Sequence, residues 1–168
     1  MSTFPVPPDV RNARDFRIIK GMDDIIRTDR RVADAVVALI KQGEWVHLNG
    51  SGEVVKAAGE ILATPMAGAQ ANWTVYKKGD TNVGQSDAAG NQAVTLVSGP
   101  YKAETKLYAA GAYNPGDLLV VIDDGSGNGV VAPVASGAAT AVQIARHVGT
   151  VDFPPVAGVL TFSSRGAA

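Results

Sequence analysis

The sequence lacks cysteine, and this absence excludes disulfide bonds, thiolate zinc sites and thiol nucleophiles. It also lacks an excess of either charge, since its formal net charge is −1. Nucleic acids and anionic membrane surfaces attract basic proteins, so we expect neither as a partner. No apolar run approaches the roughly 18 residues of a transmembrane helix, and the first residues do not resemble a secretory signal. The absence of cysteine also fits assembly in a reducing cytoplasm.

Large apolar side chains are scarce as well. Alanine supplies 26 of the hydrophobic residues, and the sequence contains 19 glycines. The branched aliphatic residues are 22 valines against 8 leucines and 8 isoleucines. Because valine favours a pleated strand and leucine suits a helix, the composition predicts a mainly β fold with at most one short helix. A lean core of this kind gains stability when the protein is one subunit among several.

The first 31 residues differ from the rest, because they hold 12 of the charged residues against 19 in the remaining 137. They begin with a proline-rich segment that favours an extended backbone. We interpret residues 1–31 as an extended N-terminal arm that becomes ordered against a partner, and residues 32–168 as one β-barrel or sandwich domain. The apolar residues of the arm are the predicted partner-binding residues, namely Phe4, Val6, Phe16, Ile18, Ile19, Ile25 and Ile26.

Short apolar runs separated by glycines follow the arm, a pattern typical of a small β-barrel or sandwich. The predicted strands are Val36–Ile40, Trp45–Leu48, Trp73–Tyr76, Val94–Val97, Lys106–Ala109, Leu118–Ile122, Val130–Val134, Val142–Ala145 and Val159–Phe162. The polar residues 77–92 predict a long surface loop. Residues 31–42 also fit a helix with Asp29 as its N-cap, but we favour the strand.

Two parts of the sequence resemble each other. In each, a strand, a Gly-Ser-Gly turn at 50–52 or 125–127, and a second strand follow one another. The continuations correspond loosely, with Trp73–Lys77 matching Val142–Arg146 and Val94–Ser98 matching Val159–Ser163. The sequence therefore predicts two similar halves, about 34–99 and 104–165.

Motifs for catalysis and cofactor binding are missing from the sequence. Asp123-Asp124-Gly125 differs from the aspartic-protease triplet at its second residue, and neither a Gly-x-Ser-x-Gly elbow nor a phosphate-binding glycine loop occurs. The segment Asp124 to Gly129 matches half of a calcium loop, but alanine occupies the position of the bidentate glutamate, so a hairpin turn explains it better. His47 and His147 lack companion metal-ligand motifs. We expect no enzyme activity, cofactor or metal.

The stretch from Tyr108 to Phe162 resembles a known family. A Gly116-Asp117 strand start, a glycine-rich turn, the Val130-Val131-Ala132-Pro133 strand and the segment ending His147-Val148-Gly149 are similar to the barrel domains of tailed-bacteriophage capsid decoration (cement) proteins. The resemblance implies a structural virion protein on the outer capsid surface, which stabilises the shell by bridging subunits of the major capsid protein. It also implies self-association as a homotrimer or homodimer.

Two other functions stay open at this point. The helix considered for 31–42 and the loop at 77–92 are compatible with a phage tail-tube, baseplate or fibre component. Two similar halves also occur in double-psi-type β-barrels, which include enzymes and ligand binders. A pocket lined by Asp117, Asp123 or Glu44 would favour that last interpretation.

Overall fold

The chain folds into two antiparallel β-sheets in the computed structural model, which describes residues 16–21, 25–33, 40–57, 73–78 and 93–165. The strands within these ranges are β1 (Phe16–Lys20), β2 (Ile26–Arg31), β3 (Trp45–Leu48), β4 (Val54–Lys56), β5 (Trp73–Lys78), β6 (Ala93–Ser98), β7 (Lys102–Thr105), β8 (Leu118–Asp123), β9 (Gly129–Val134), β10 (Gly149–Val156) and β11 (Val159–Ser164). A 3₁₀ turn at Ser136–Ala138 precedes the short helix α1 (Ala141–Arg146). The predicted mainly β sandwich with one short helix is confirmed for the described residues.

The two sheets have the same strand order. The five-stranded sheet runs β2-β6-β5-β3-β4, and the six-stranded sheet runs β1-β7-β11-β10-β8-β9. When β1 is left out, the six-stranded sheet reads β7-β11-β10-β8-β9. In that order, β7 corresponds to β2, β11 to β6, β10 to β5, β8 to β3 and β9 to β4. The two hairpins predicted around the Gly-Ser-Gly turns, β3–β4 and β8–β9, therefore occupy equivalent edges. The repeat at the level of individual residues stays a prediction.

One core joins the sheets. Trp45 from β3 and Phe162 from β11 have ring centroids 6.3 Å apart, and the ring centroid of Tyr101 also lies 6.3 Å from that of Phe162. A second buried cluster lies on the opposite face of the five-stranded sheet, where it includes Val46 of β3 and Leu96 of β6. Since successive strand residues point to opposite faces, these strands are buried on both sides.

The prediction of a separate N-terminal arm is wrong for residues 16–20 and 26–31. β1 pairs with β7 and β2 pairs with β6, each at the outer edge of a sheet. β2 is exposed at nearly every position and carries charged side chains, as edge strands often do. The charge that suggested a separate arm therefore belongs to sheet edges. Residues 1–15 lie outside the described part of the chain.

Two predicted strands are also wrong. Residues 142–145 lie in α1, because Thr140 Oγ1 accepts a hydrogen bond from the Gln143 amide and Gln143 Oε1 accepts one from the Thr140 amide, forming a capping box. This also removes the proposed match between Trp73–Lys77 and Val142–Arg146. Residues 106–109 contribute only a bridge from Tyr108 to Val131. The helix-or-strand question at 34–39 and most of the predicted loop, residues 79–92, fall outside the described residues.

Candidate functional site

The predicted partner-binding residues fall into separate environments. Phe4 and Val6 lie outside the described residues. Phe16 is 1% exposed, and its ring packs edge-on against Tyr101 at 6.0 Å in the core between the sheets. The prediction is therefore wrong for Phe16, because burial within its own chain leaves no surface for a partner.

The four predicted isoleucines divide between core and surface. Ile18 and Ile25 are partly buried against the core between the sheets. Ile19 on β1 is 41% exposed and Ile26, the first residue of β2, is 59% exposed. These two exposed residues belong to edge strands of different sheets, so they do not form one patch along a single strand. Their part in partner binding stays a prediction.

A more exposed apolar surface lies at the β10–β11 hairpin, which the sequence interpretation did not single out. Phe153 is 57% exposed and Val156 is 70% exposed, and the intervening residues are prolines. The two-residue turn, Ala157 and Gly158, has φ values of 51° and 76°. Both values lie in the left-handed region typical of a tight hairpin turn. We call residues 153–159 the apolar hairpin.

The base of the apolar hairpin is held by polar contacts. Asp152 Oδ2 accepts a hydrogen bond from Ser163 Oγ at 2.8 Å and lies 3.5 Å from Lys102 Nζ. The same ammonium lies 5.0 Å from the centroid of the Phe153 ring, a cation–π distance. One edge of β10 pairs with β11, and the other edge pairs with β8 only at Gly149 and Thr150. Beyond Thr150, no described strand covers that second edge of β10. The apolar hairpin is therefore anchored at one end and open at the other.

A second exposed apolar pair lies on α1, where Val142 and Ile144 are each 50% exposed. Arg165 Nη1 donates to the carbonyl oxygens of Ile144 and Ala145, and it lies 3.1 Å from His147 Nδ1. These contacts tie the end of the helix to the segment after β11. The pair gives a surface of similar exposure to the apolar hairpin at a different place in the fold.

Polar side chains meet in the interior where the two equivalent hairpins approach each other. Glu44 is fully buried, and its Oε1 lies 3.3 Å from Lys56 Nζ, whose side chain is 9% exposed. Lys56 Nζ also donates to Asn128 Oδ1 at 2.6 Å. Burial raises the pKa of Glu44, an effect that the Lys41 amide and the Lys56 charge only partly offset. We call Glu44, Lys56 and Asn128 the inter-sheet cluster.

The carboxylates of the 123–129 turn already have partners. Asp123 Oδ1 accepts from the amides of Gly125 and Gly127, and Asp124 Oδ2 accepts from Asn128 Nδ2 at 2.8 Å. Although partial desolvation raises the pKa of Asp124, the hydrogen bonds from Asn128 and Ser126 lower it overall. These contacts are those of a hairpin turn, in agreement with the interpretation preferred over a calcium loop.

The two histidines lie in different environments. His47 Nε2 lies 3.2 Å from the Lys56 carbonyl oxygen, and its Nδ1 is buried without a hydrogen bond from the described residues. Burial lowers the pKa of His47. His147 is on the surface beside Arg165. The described ranges contain no group of three or more His, Asp or Glu side chains placed to hold a metal ion.

Comparisons add no family assignment to this picture. Within the described ranges, no helix has the length and apolar character needed to cross a bilayer. A scan against protein-family models and searches of curated proteins and of solved structures found no significant match to this chain.

Proposed function

We propose that this chain is a structural virion protein that decorates the outer surface of a tailed-phage capsid and stabilises it by bridging major capsid protein subunits. The observation that carries the proposal is the apolar hairpin, where Phe153 and Val156 are 57% and 70% exposed. Exposed apolar residues that cluster at one place are typical of a protein–protein contact. The resemblance of residues 108–162 to capsid decoration proteins supplies the class of partner.

The anchored hairpin suits this task because its shape exists before binding. The tight turn and the contacts of Asp152 with Ser163 and Lys102 fix the backbone that presents Phe153. A preorganised surface loses little conformational freedom when it binds, so more of the gain from burial is kept as affinity. Full burial of an apolar side chain of this size contributes about 1.5–3 kcal/mol.

Self-association would strengthen such contacts. Two or three copies joined as a homodimer or homotrimer would place two or three apolar hairpins on one shell, and the linked contacts would bind with avidity. The partners in this proposal are therefore the major capsid protein and further copies of this chain. The protein would be assembled in the host cytoplasm and located on the outside of the virion.

The carboxylates that could have favoured an enzyme are engaged in local structure. Asp117 Oδ2 accepts from the amide and side chain of Asn114, and Asp123 is held by its own turn. The buried Glu44 contacts Lys56. This arrangement gives no specific support to the double-psi enzyme alternative, and the features that suggested a tail-tube component fall mostly outside the described residues.

Cosedimentation with genome-free capsid shells tests the proposal. We expect the full chain to sediment with shells, and the double variant Phe153→Ser/Val156→Ser to stay in the supernatant with an unchanged unfolding temperature. The matched control is Val142→Ser/Ile144→Ser, which removes two equally apolar exposed residues from α1 and should still sediment. Analytical ultracentrifugation of the free protein gives the number of copies.

Each outcome of this experiment bears on one step. Absence of the full chain from the shell pellet contradicts the decoration role. Binding that survives loss of the apolar hairpin but fails in the α1 variant would assign the contact to α1 instead. Deletion of residues 1–15, which keeps β1 whole, tests the part predicted for Phe4 and Val6.

A further inference from the structure

The inter-sheet cluster brings an amine and a carboxamide together beside a buried acid. Lys56 at the end of β4 and Asn128 just before β9 belong to different sheets and are 72 positions apart in the chain. Lys56 Nζ lies 2.6 Å from Asn128 Oδ1 and 3.3 Å from Glu44 Oε1. The Lys56 side chain is 9% exposed, Asn128 is 6% exposed and Glu44 is fully buried.

We propose that Lys56 and Asn128 form an intramolecular isopeptide bond, with Glu44 as the group that relays protons. The bond joins Lys56 Nζ to Asn128 Cγ and covalently links the two sheets. It is a modification of the chain by its own residues, and it is independent of what the protein binds.

The carboxamide is held in one orientation by its partners. Asn128 Oδ1 faces the Lys56 amine, and Asn128 Nδ2 donates to Asp124 Oδ2 at 2.8 Å. Only the oxygen can accept from an amine and only the nitrogen can donate to a carboxylate, so the two contacts fix the plane of the amide. Since a C=O bond is about 1.23 Å long, Cγ lies within about 3.8 Å of Nζ, and a small side-chain rotation brings it to attack distance.

Backbone packing keeps these groups close. A Cβ atom added at Gly129 would overlap the carbonyl oxygen of Trp45 and lie 3.0 Å from Ala57 Cβ. The start of β9 therefore approaches β3 and the end of β4 more closely than any residue with a side chain would allow. This close approach places Asn128, the residue before Gly129, next to the Lys56 amine.

Burial also prepares the amine for attack. A charged pair is costly to keep in a dry interior, and proton transfer from the ammonium to the carboxylate replaces it with two neutral groups. Glu44 Oε1 has no well-aligned hydrogen bond from the described residues, which leaves it open to receive that proton. Burial raises the pKa of Glu44, which favours the protonated acid. The neutral amine that remains is a nucleophile.

The reaction is balanced without any oxidant or co-reactant. The neutral Nζ attacks Cγ, the C–N bond of the carboxamide breaks, and a new amide forms between Lys56 and Asn128. Two protons leave the original ammonium in total, and Glu44 relays them to the departing nitrogen, which is released as ammonium. Glu44 ends as a carboxylate, as it began, while Asp124 accepts a hydrogen bond from the leaving nitrogen until it departs.

Intact-mass spectrometry of the purified full chain tests the bond. The expected mass is lower than the sequence mass by one molecule of ammonia. Trypsin cannot cleave after a modified Lys56, so residues 42–77 and 107–146 should be released as one branched peptide. An intact mass equal to the sequence mass overturns the proposal.

Variants separate this bond from other losses of ammonia. Asn128 precedes Gly129, and an Asn-Gly pair can lose ammonia by closing a succinimide on its own backbone. We expect Lys56→Met and Asn128→Ala to show their full sequence masses, and the exposed-lysine control Lys20→Arg to keep the deficit. A deficit that persists in Lys56→Met, or separate 42–56, 57–77 and 107–146 peptides from the wild-type chain, would overturn the isopeptide.

The role of Glu44 has its own readout. Glu44→Gln keeps the size of the side chain but cannot accept the ammonium proton. We expect this variant to lack the deficit or to form it at least tenfold more slowly during incubation after purification, with circular dichroism showing the same β content. Full linkage in freshly purified Glu44→Gln would remove Glu44 from the mechanism.

Discussion

Thr74 Oγ1 and Tyr101 Oη lie 2.7 Å apart in the core, where their hydrogen bond joins β5 of one sheet to the residue preceding β7 of the other. Thr74 is fully buried and Tyr101 is 4% exposed. The Tyr101 ring also makes edge contacts with the rings of Phe16 and Phe162. One tyrosine thus combines the apolar and the polar contacts between the sheets, and burial raises the pKa of its hydroxyl.

Removal of this hydroxyl should weaken the sandwich. Tyr101→Phe keeps the ring but leaves the buried Thr74 hydroxyl without this partner, which costs about 1–3 kcal/mol in the free energy of unfolding. Urea denaturation measures the loss. Adding Thr74→Val should recover part of it, because the second substitution removes the stranded polar group. Equal stability of Tyr101→Phe and the wild type would contradict the importance of this hydrogen bond.

Gly129 should tolerate no side chain. Gly129→Ala places a methyl group against the backbone carbonyl of Trp45, which cannot move without shifting β3. We expect a loss of about 3 kcal/mol in the free energy of unfolding. The control is Gly137→Ala, where a Cβ meets no atom within 4 Å, and its effect should stay within about 0.5 kcal/mol. A stable Gly129→Ala protein would mean that the hairpins lie further apart.

The sequence was most informative where strands are buried and apolar. β3 was predicted with its observed bounds, and β8, β9 and β11 within one or two residues, because runs of valine and leucine between glycines mark buried strands. β1 and β2 were not predicted as strands, because they are charged edge strands. Their strand conformation depends on the strands with which they pair. β10 was missed because it contains Pro154 and Pro155, which are compatible only with an open edge.

The candidate sites depend on contacts that spacing does not encode. The turn at 123–129 was recognised as a hairpin, but nothing in it indicates that Asn128 meets Lys56 from the other sheet. That contact follows from how the two sheets pack. The α1 helix was missed for a local reason, since Val142 and Ile144 suggested a strand while the Thr140–Gln143 capping box stabilises a helix.

Phe16 should contribute to the core and not to a partner surface. Phe16→Ala removes a ring that is 1% exposed, and large-to-small core changes of this kind cost about 3–5 kcal/mol in unfolding free energy. Ile19→Ala on the same strand is the control, because its side chain is 41% exposed and its loss should cost less than about 1 kcal/mol. Thermal or urea unfolding distinguishes them. If both substitutions cost similarly little unfolding free energy, β1 would not belong to the core and would instead be a detachable arm.

His47 should make the fold less stable in mild acid. Its Nε2 faces the Lys56 carbonyl oxygen, so the proton added on acidification goes to Nδ1, which is buried without an acceptor from the described residues. The pKa of His47 in the folded chain is therefore lower than its ordinary value of 6.5. At pH values between the folded pKa and 6.5, the unfolded chain binds more protons than the folded one. The contribution of His47 to stability is present above pH 6.5 and is lost as the pH falls towards the folded pKa. Glu44 acts in the opposite sense, since its raised pKa lowers stability as the pH rises from 4.5.

A difference curve isolates the histidine from the acid. Urea unfolding of the wild type and of His47→Gln, compared at several pH values between about 5 and 8, keeps the Glu44 contribution in both proteins. The wild type should lose stability relative to His47→Gln as the pH falls below 6.5, and the difference should be constant above that value. A difference that does not change with pH would show that Nδ1 gains a proton as easily in the folded chain as in the unfolded one, and would contradict the burial of this ring nitrogen.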